Sequence, residues 1–487
     1  MAGWIQDQRP GRAPYLGPKM VVTDVQTASM NSDDVKAGRA HAAAALGLCL
    51  VVILLQTLMP DYRKPVADSL QYAKVIANVA EAIRSGGDVN MILGTQFGPV
   101  YQIFAGVLAA MDGGLLETLR CVAPDKAACD LSGLTSLFAA QAVLVALTVF
   151  FVFLAVWRVA GDVRVAWLSL LIVLGIGNFT NYTTLILTET PTFFLFSLFI
   201  WLFTRVLTEP DGGYRELLFA GLALALTGLS RPPYLYLFYF MVPVVFLWWR
   251  FGRREQLLPA ARAALAFAIG GAAVLLPWLA RNYVVFDLPS VAGGYGTQIL
   301  VERLAYNAMT WPEWMVSFIY WLPDFGDSLA TSLFTEEMWK RLDWYHPDSF
   351  YMMGRGAFFM EMRAESGAQE SPLGYLLREY VWGDLATHVG VTLALAVRGQ
   401  WVGKYIGLIG FILLPACIWM LRRRGRAGVF LMFCLPPYFM LGLYAFVSVN
   451  VVRYNEPLIA VFALSISVVV ISGVTWLWQR LRRPRNH

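Results

Sequence analysis

Ten stretches of about 20 residues run with few or no charged side chains, beginning near Ala42, Leu134, Val165, Thr190, Leu217, Pro232, Ala263, Tyr405, Ala427 and Pro457. Such a stretch, coiled as a helix, matches the hydrocarbon thickness of a bilayer. Only helices or closed barrels satisfy the backbone there. Composition agrees: of 487 residues, 58% are hydrophobic and only 15% charged, which excludes an ordinary soluble domain of this size. The 38 Lys and Arg give a net charge of only +5 and fall in short clusters, so there is no basic face for nucleic acid. The expected fold is an all-α polytopic membrane protein with about ten transmembrane helices.

The basic clusters set the expected topology. Arg158/Arg164, Arg205/Arg215, Arg250/Arg253/Arg254/Arg262, Arg422/Arg423/Arg424/Arg426 and Arg480/Arg482/Arg483/Arg485 all belong in the cytoplasm by the positive-inside rule. That arrangement closes only if the weakly apolar stretch Phe97 to Met111 stays interfacial or re-entrant. Residues 1–41 then form a flexible cytoplasmic tail and 42–280 a transmembrane module. The first outer loop spans about 60–133. A long outer segment, 281–400, precedes the last three spans, and 401–487 holds those spans and a basic cytoplasmic end. The long segment carries 14 acidic against 8 basic residues and reads as mixed short helices and loops. Met59-Pro60 ends the first apolar run without a cleavage pattern, so that run is expected to be an anchor and not a signal peptide. Cys121 and Cys129 flank a polar loop in the first outer segment; a disulfide or two free thiols are equally compatible with their spacing.

A few ionisable residues stand out against this background. Asp68 opens a helix on which Tyr72, Val75, Ile76, Val79 and Ile83 form one apolar stripe, so the helix should lie along the membrane surface. The plain alternative for Asp68 is a helix cap. Glu189 lies at the outer side between two uncharged spans, where an ionisable group is a functional candidate by default. Arg231 is the only charged residue between Leu217 and Trp249, and it precedes Pro232-Pro233. Arg281 and the pair Arg453-Tyr454 sit at outer ends of other spans. Three arginines gathered on one side suit a lipid phosphate; singly, each could be a snorkelling anchor. Metal signals are thin: four His, no HExxH, and only Asp343, His346 and Asp348 as a loose trio. Gly293-Gly294-Tyr295-Gly296 follows no predicted strand and lacks the context of a phosphate-binding loop.

Taken in order, Asp68 with Tyr72, Gly98-Pro-Val-Tyr101, Leu187-Thr-Glu-Thr-Pro191, Gly228-Leu-Ser-Arg-Pro232, Pro277-Trp-Leu-Ala-Arg-Asn-Tyr283 and Val452-Arg-Tyr-Asn-Glu-Pro457 resemble the GT-C class of integral membrane glycosyltransferases. The likeness is to the branch of protein O-mannosyltransferases and the lipid A aminoarabinose transferase, and it spans about residues 45–475. It implies transfer of a sugar from a polyprenyl-phosphate donor to a hydroxyl of a glycan, glycolipid or protein acceptor, with inversion. By position it makes Asp68 the catalytic acid residue, with Glu189 a looser match to a second acidic position. Arg231, Arg281, Arg453 and Tyr454 are then expected to hold the donor phosphate, and Tyr72 and Tyr101 to line the substrate site. The chain departs from that branch in its span count and in lacking a separate terminal soluble domain.

The residue chemistry fits the same reaction. A sugar hydroxyl is a poor nucleophile and needs a positioned base, whereas the polyprenyl phosphate leaves as an anion and needs cations more than an acid. No metal or other cofactor is required by this scheme, although a divalent ion is compatible with it. The expected setting is a bacterial inner membrane, with the site facing outward among membrane lipids. Two alternatives differ in class. A polyprenyl-diphosphate-dependent oligosaccharide polymerase or ligase would share the outer loops and arginines but not the early Asp68-Tyr72 helix. A lipid or ion transporter would place ionisable groups at the midplane on broken, repeated helices.

Overall fold

A computed structural model describes residues 32–58, 67–95, 97–123, 129–209, 213–288, 290–293, 295–369 and 371–482. The chain divides into two compact units, Met1–Ala43 and Ala44–His487. Of the first, the described part is the start of helix α1 (Ser32–Leu58). The second unit is built of helices joined by turns, with no strand among its described residues.

Every apolar run in the sequence folds as a helix. After α1 come α2 (Ala67–Ser85), α3 (Pro99–Met111) and α4 (Gly113–Val122) in the first loop. The transmembrane module continues with α5 (Thr135–Ala160), α6 (Val163–Ile176), α7 (Glu189–Thr208), α8 (Tyr214–Ser230), α9 (Tyr234–Leu247) and α10 (Leu257–Phe286). Then follow α11 (Tyr295–Leu304), a series of short helices, α12 (Leu385–Gly399), α13 (Tyr405–Arg423), α14 (Ala427–Val447) and α15 (Leu458–Arg482).

Eight helices among the described residues are long and apolar enough to cross a membrane. Of the ten expected spans, α6 with 14 residues and α8 with 17 are the two that fall short of that length, whereas α9 reaches it because its helix runs on to Gly252, 19 residues in all. The stretch read as non-spanning, α3, has 13 residues, so it is about 20 Å long against a hydrocarbon core of about 30 Å. A further apolar helix lies where the sequence suggested only outer loop. It is α12, joined at a 93° bend to the helical stretch Pro372–Trp382. His388 and Arg398 dilute its hydropathy, which hid it in the sequence; its buried face is His388, Val391, Ala394 and Leu395.

Burial orders these elements. In α7, 15 of 20 residues are buried, so it is covered by neighbouring helices on most of its surface. The stripe of α2 packs inward on protein: Ala73, Ile76, Ala77, Val79 and Ala80 are buried, the cluster around them including Tyr101, Ala105 and Ala109 of α3, while Ile83 stays exposed. Residues of four arginine clusters meet at one end of the bundle. Glu209 takes Arg158 at 2.5 Å and Arg205 at 3.2 Å, Arg253 donates to the Glu209 and Val206 carbonyls, and Arg426 donates to the Arg158 carbonyl at 2.7 Å. Cys121 and Cys129 are joined by a disulfide.

Candidate functional site

The site is built around the turn between α6 and α7. Gly177 ends α6 with φ +67°, a left-handed conformation that costs glycine little, and releases the chain into the turn Phe179–Tyr182. Side chains from several elements hold that turn. Thr57 donates to Thr183 Oγ1 at 3.0 Å, and Thr180 donates to Gln56 Oε1 at 2.9 Å. Gln141, fully buried in α5, donates to the carbonyls of Thr183 and Leu185 at 2.8 and 3.0 Å. Its Oε1 accepts from Tyr101 at 3.0 Å and from Thr190 at 3.3 Å. Every polar group of this buried amide is thereby used, which fixes α3, the turn and the head of α7 relative to one another.

Glu189 stands in the first turn of α7, where a carboxylate complements the helix dipole. Arg231 ends α8: Pro232 disfavours the helical conformation for the residue before it, and Arg231 accordingly has φ −142° and ψ 104°. The break brings its guanidinium to Glu189, with Nη1 3.2 Å from Oε1 in a pair whose side chains are 15% and 5% exposed. The guanidinium lies 4.5 Å from the centre of the Tyr454 ring and 5.8 Å from that of Tyr444. Burial opposes its charge, but the electrostatics of Tyr444, Glu189 and Tyr454 outweigh that and hold its pKa above the ordinary value. Arg453 also lies over Tyr454, at 5.4 Å. The Tyr444 hydroxyl is buried and has no hydrogen-bond partner among the described residues.

Beside this group is a second buried carboxyl, that of Glu456 within the stretch Val452–Pro457. Glu456 accepts from Asn178 Nδ2 at 2.9 Å and from the Tyr182 hydroxyl at 3.2 Å. Burial pushes its carboxyl up to about 7, against those hydrogen bonds and helped by the nearby Glu189. The available signal was an acid immediately before Pro457 at the head of an uncharged span.

The α2–α3 pair adjoins the group. Tyr72 meets Tyr101 edge-on at 5.8 Å and Phe97 at 4.7 Å. Burial, then Tyr72 and Glu189, hold the Tyr101 phenol well above its usual pKa. A Cβ at Gly98 would overlap the Leu229 carbonyl, so only glycine lets the start of α3 seat against the end of α8, next to Arg231. Asp68 is the second residue of α2, inside its first turn; its side chain lies outside the described residues.

Glu189, Arg231, Arg453 and Tyr454 are thus brought together, with Tyr72 and Tyr101 alongside. Arg281 is not among them. It donates to the carbonyls of Asn90 and Leu93 and to Asn282 Oδ1, and packs on Trp278 and Phe286, so it docks the first loop onto α10. The loose trio is spent on local turns: Tyr345 N–H donates to Asp343 and Asp348 N–H to His346 Nδ1. Among the described residues no three His, Cys, Asp or Glu side chains are arranged to hold a metal ion. Below the turn, Phe179, Phe193, Phe196, Phe433 and Pro457 line an apolar void of about 20 Å³, room for about one water and no prenyl unit. No protein-family model matches the chain, and no curated protein matches its sequence.

Proposed function

We propose that this chain is a membrane glycosyltransferase of the GT-C type, which transfers a sugar from a polyprenyl-phosphate carrier to an acceptor hydroxyl on the outer side of a bacterial inner membrane. The observation that carries the reading is the group formed by buried Glu189 and half-buried Arg231, Arg453 and Tyr454 at the ends of apolar helices, flanked by the first-loop pair α2–α3. Two guanidinium groups over one tyrosine ring, and the Tyr444 hydroxyl with no hydrogen-bond partner among the described residues, suit the oxygens of a phosphodiester. The Cys121–Cys129 disulfide supports an outward first loop, since disulfides persist in oxidising compartments.

In this reading the acceptor oxygen attacks the anomeric carbon while the bond from that carbon to the phosphate oxygen breaks, and the electron pair leaves with the polyprenyl phosphate. Asp68, on the first turn of α2, takes the hydroxyl proton. Arg231 and Arg453 stabilise the charge that builds on the departing oxygen, where a preorganised cation acts most strongly. Glu189 orients Arg231. Arg281 serves the site only through the loop it docks.

The test is transfer from a purified polyprenyl-phosphate sugar in nanodiscs. Asp68→Asn should lower the rate by about a hundredfold or more, as expected for loss of a general base, with donor affinity retained. Near-normal turnover would reduce Asp68 to a helix-end residue. Absence of transfer by the wild-type protein with every donor tried, together with uptake of an ion or lipid into vesicles, would return the site to transport.

A further inference from the structure

Arg231 and Arg453 stand with Glu189 in the group, and Glu456 lies close enough to Glu189 to feel its charge. With Glu189, Glu456 and the proposed base Asp68 all ionised, negative charge outweighs the two guanidinium groups, and a phosphodiester would be repelled. One proton on a carboxyl removes part of that repulsion. Glu189 is already paired, with the Arg231 guanidinium 3.2 Å from its Oε1. Glu456 differs: among the described residues its hydrogen-bond partners, Asn178 and Tyr182, are both neutral. It is 4% exposed.

We propose that Glu456 is the proton site of this recess, binding a proton when a phosphodiester anion occupies Arg231 and Arg453 and releasing it when the anion leaves. The inference rests on the reading of the recess as a phosphate site. The hydrogen bonds accommodate both states. Asn178 Nδ2 donates to Oε2 in either case, whereas the Tyr182 hydroxyl donates to a carboxylate and accepts from a carboxylic acid. The surrounding charges set the direction. Glu189 on α7 disfavours a second carboxylate, and its ion pair with Arg231 at the α8–α9 turn already uses that cation. Arg453 and Tyr454 come from the turn just before Glu456, and Tyr444 from α14. An incoming anion adds negative charge next to a buried carboxyl, and like charges favour its protonated form. By linkage, protons then tighten anion binding, and the anion draws a proton in. The resting carboxyl, held up to about 7, is poised for this exchange near neutral pH.

Dioctyl phosphate is a suitable probe because its single charge stays fixed between pH 6 and 8. Binding to the full-length protein in detergent is measured calorimetrically at both pH values, in buffers of different ionisation enthalpy so that protons are counted. The expected result is affinity about tenfold weaker at pH 8 than at pH 6, with uptake of up to one proton at the higher pH. Glu456→Gln should bind at both pH values as tightly as wild type at pH 6, with no uptake. Tyr182→Phe, which removes a hydrogen bond to the carboxylate, should move the midpoint to higher pH and serves if the glutamine variant does not fold. Wild-type binding that depends on Arg231 but shows neither a pH slope nor proton uptake would overturn the role of Glu456 and leave the phosphate recess standing. A slope that persists unchanged in Glu456→Gln would do the same. No binding at either pH, in wild type and Arg231→Ala alike, would overturn the phosphate recess and this inference with it.

Discussion

Arg231 is held by a carboxylate and two aromatic rings, so its removal has two separable consequences. Arg231→Ala leaves Glu189 buried without its cation, a loss of about 3 to 5 kcal/mol when one partner of a buried pair is deleted. Adding Glu189→Gln removes the stranded charge and should restore much of that stability. Transfer should not recover with it, because a cation at the leaving phosphate is worth about a hundredfold to a thousandfold in rate. Thermal unfolding in detergent and turnover of the three variants check this; parallel recovery of both would make the pair purely structural. At this scale the sequence was informative where a charge stood alone in an apolar background, as Arg231 and Glu189 do. It could not tell Arg281 from Arg231, since both close an uncharged run of sequence. What separates them is a backbone break at Pro232 that turns one toward α7, and a helix that continues past Pro277 and turns the other toward the first loop. Glu456 escaped notice because its importance comes from Asn178 and Tyr182, more than 270 positions earlier in the chain.

The elements of the first loop matter because they set Tyr72 and Tyr101 alongside the charged group, on the pair of helices that also carries the proposed base Asp68. Besides the Gln141 and Arg281 hydrogen bonds, their register depends on a close approach of the Gly98 backbone to the carbonyl of Leu229. Gly98→Ala places a methyl group where backbone atoms stand on the far side, so α3 must lift away from the α8–α9 turn at a cost of about 1 to 3 kcal/mol. Because Gly98 has φ −64°, backbone strain plays no part and the effect is one of contact alone. We expect a protein that folds but transfers slowly. The control is Gly94→Ala, whose added carbon meets nothing within 4 Å and should leave the rate unchanged. Equal rates for the two variants would detach α3 from the site. The amphipathic period of α2 was legible, but its partner was not: an apolar stripe fits a lipid surface as well as another helix, and only the small residues Ala73, Ala77 and Ala80 hint at a close protein neighbour.

For the whole molecule, uncharged runs located the helices, whereas the number that cross a membrane depends on length and tilt that hydropathy alone does not supply. The arginines carry that question further. Arg158, Arg205, Arg253 and Arg426 are linked to one another through Glu209 and neighbouring carbonyls, so four clusters far apart in sequence share one end of the bundle. By the positive-inside rule that end is expected in the cytoplasm, and the outer segment is then expected to face away from it. Introduced cysteines can test this against a quiet background, because Cys49, Cys417 and Cys434 are buried and Cys121 and Cys129 are bonded to each other. Gly161 lies at the arginine end but is a poor site, since a side chain there would run into the Arg426 guanidinium. Glu255 is exposed just beyond Arg253, and Tyr345 is 87% exposed in the outer segment. A membrane-impermeant maleimide applied to intact cells opened only at the outer membrane should modify Tyr345→Cys at once. Glu255→Cys should react only after the inner membrane is permeabilised. If both label from the same side, the buried charges and the arginine end share a compartment. An enzyme that meets its lipid-linked donor on the outer face would then be excluded, whatever the geometry of Glu189 and Arg231.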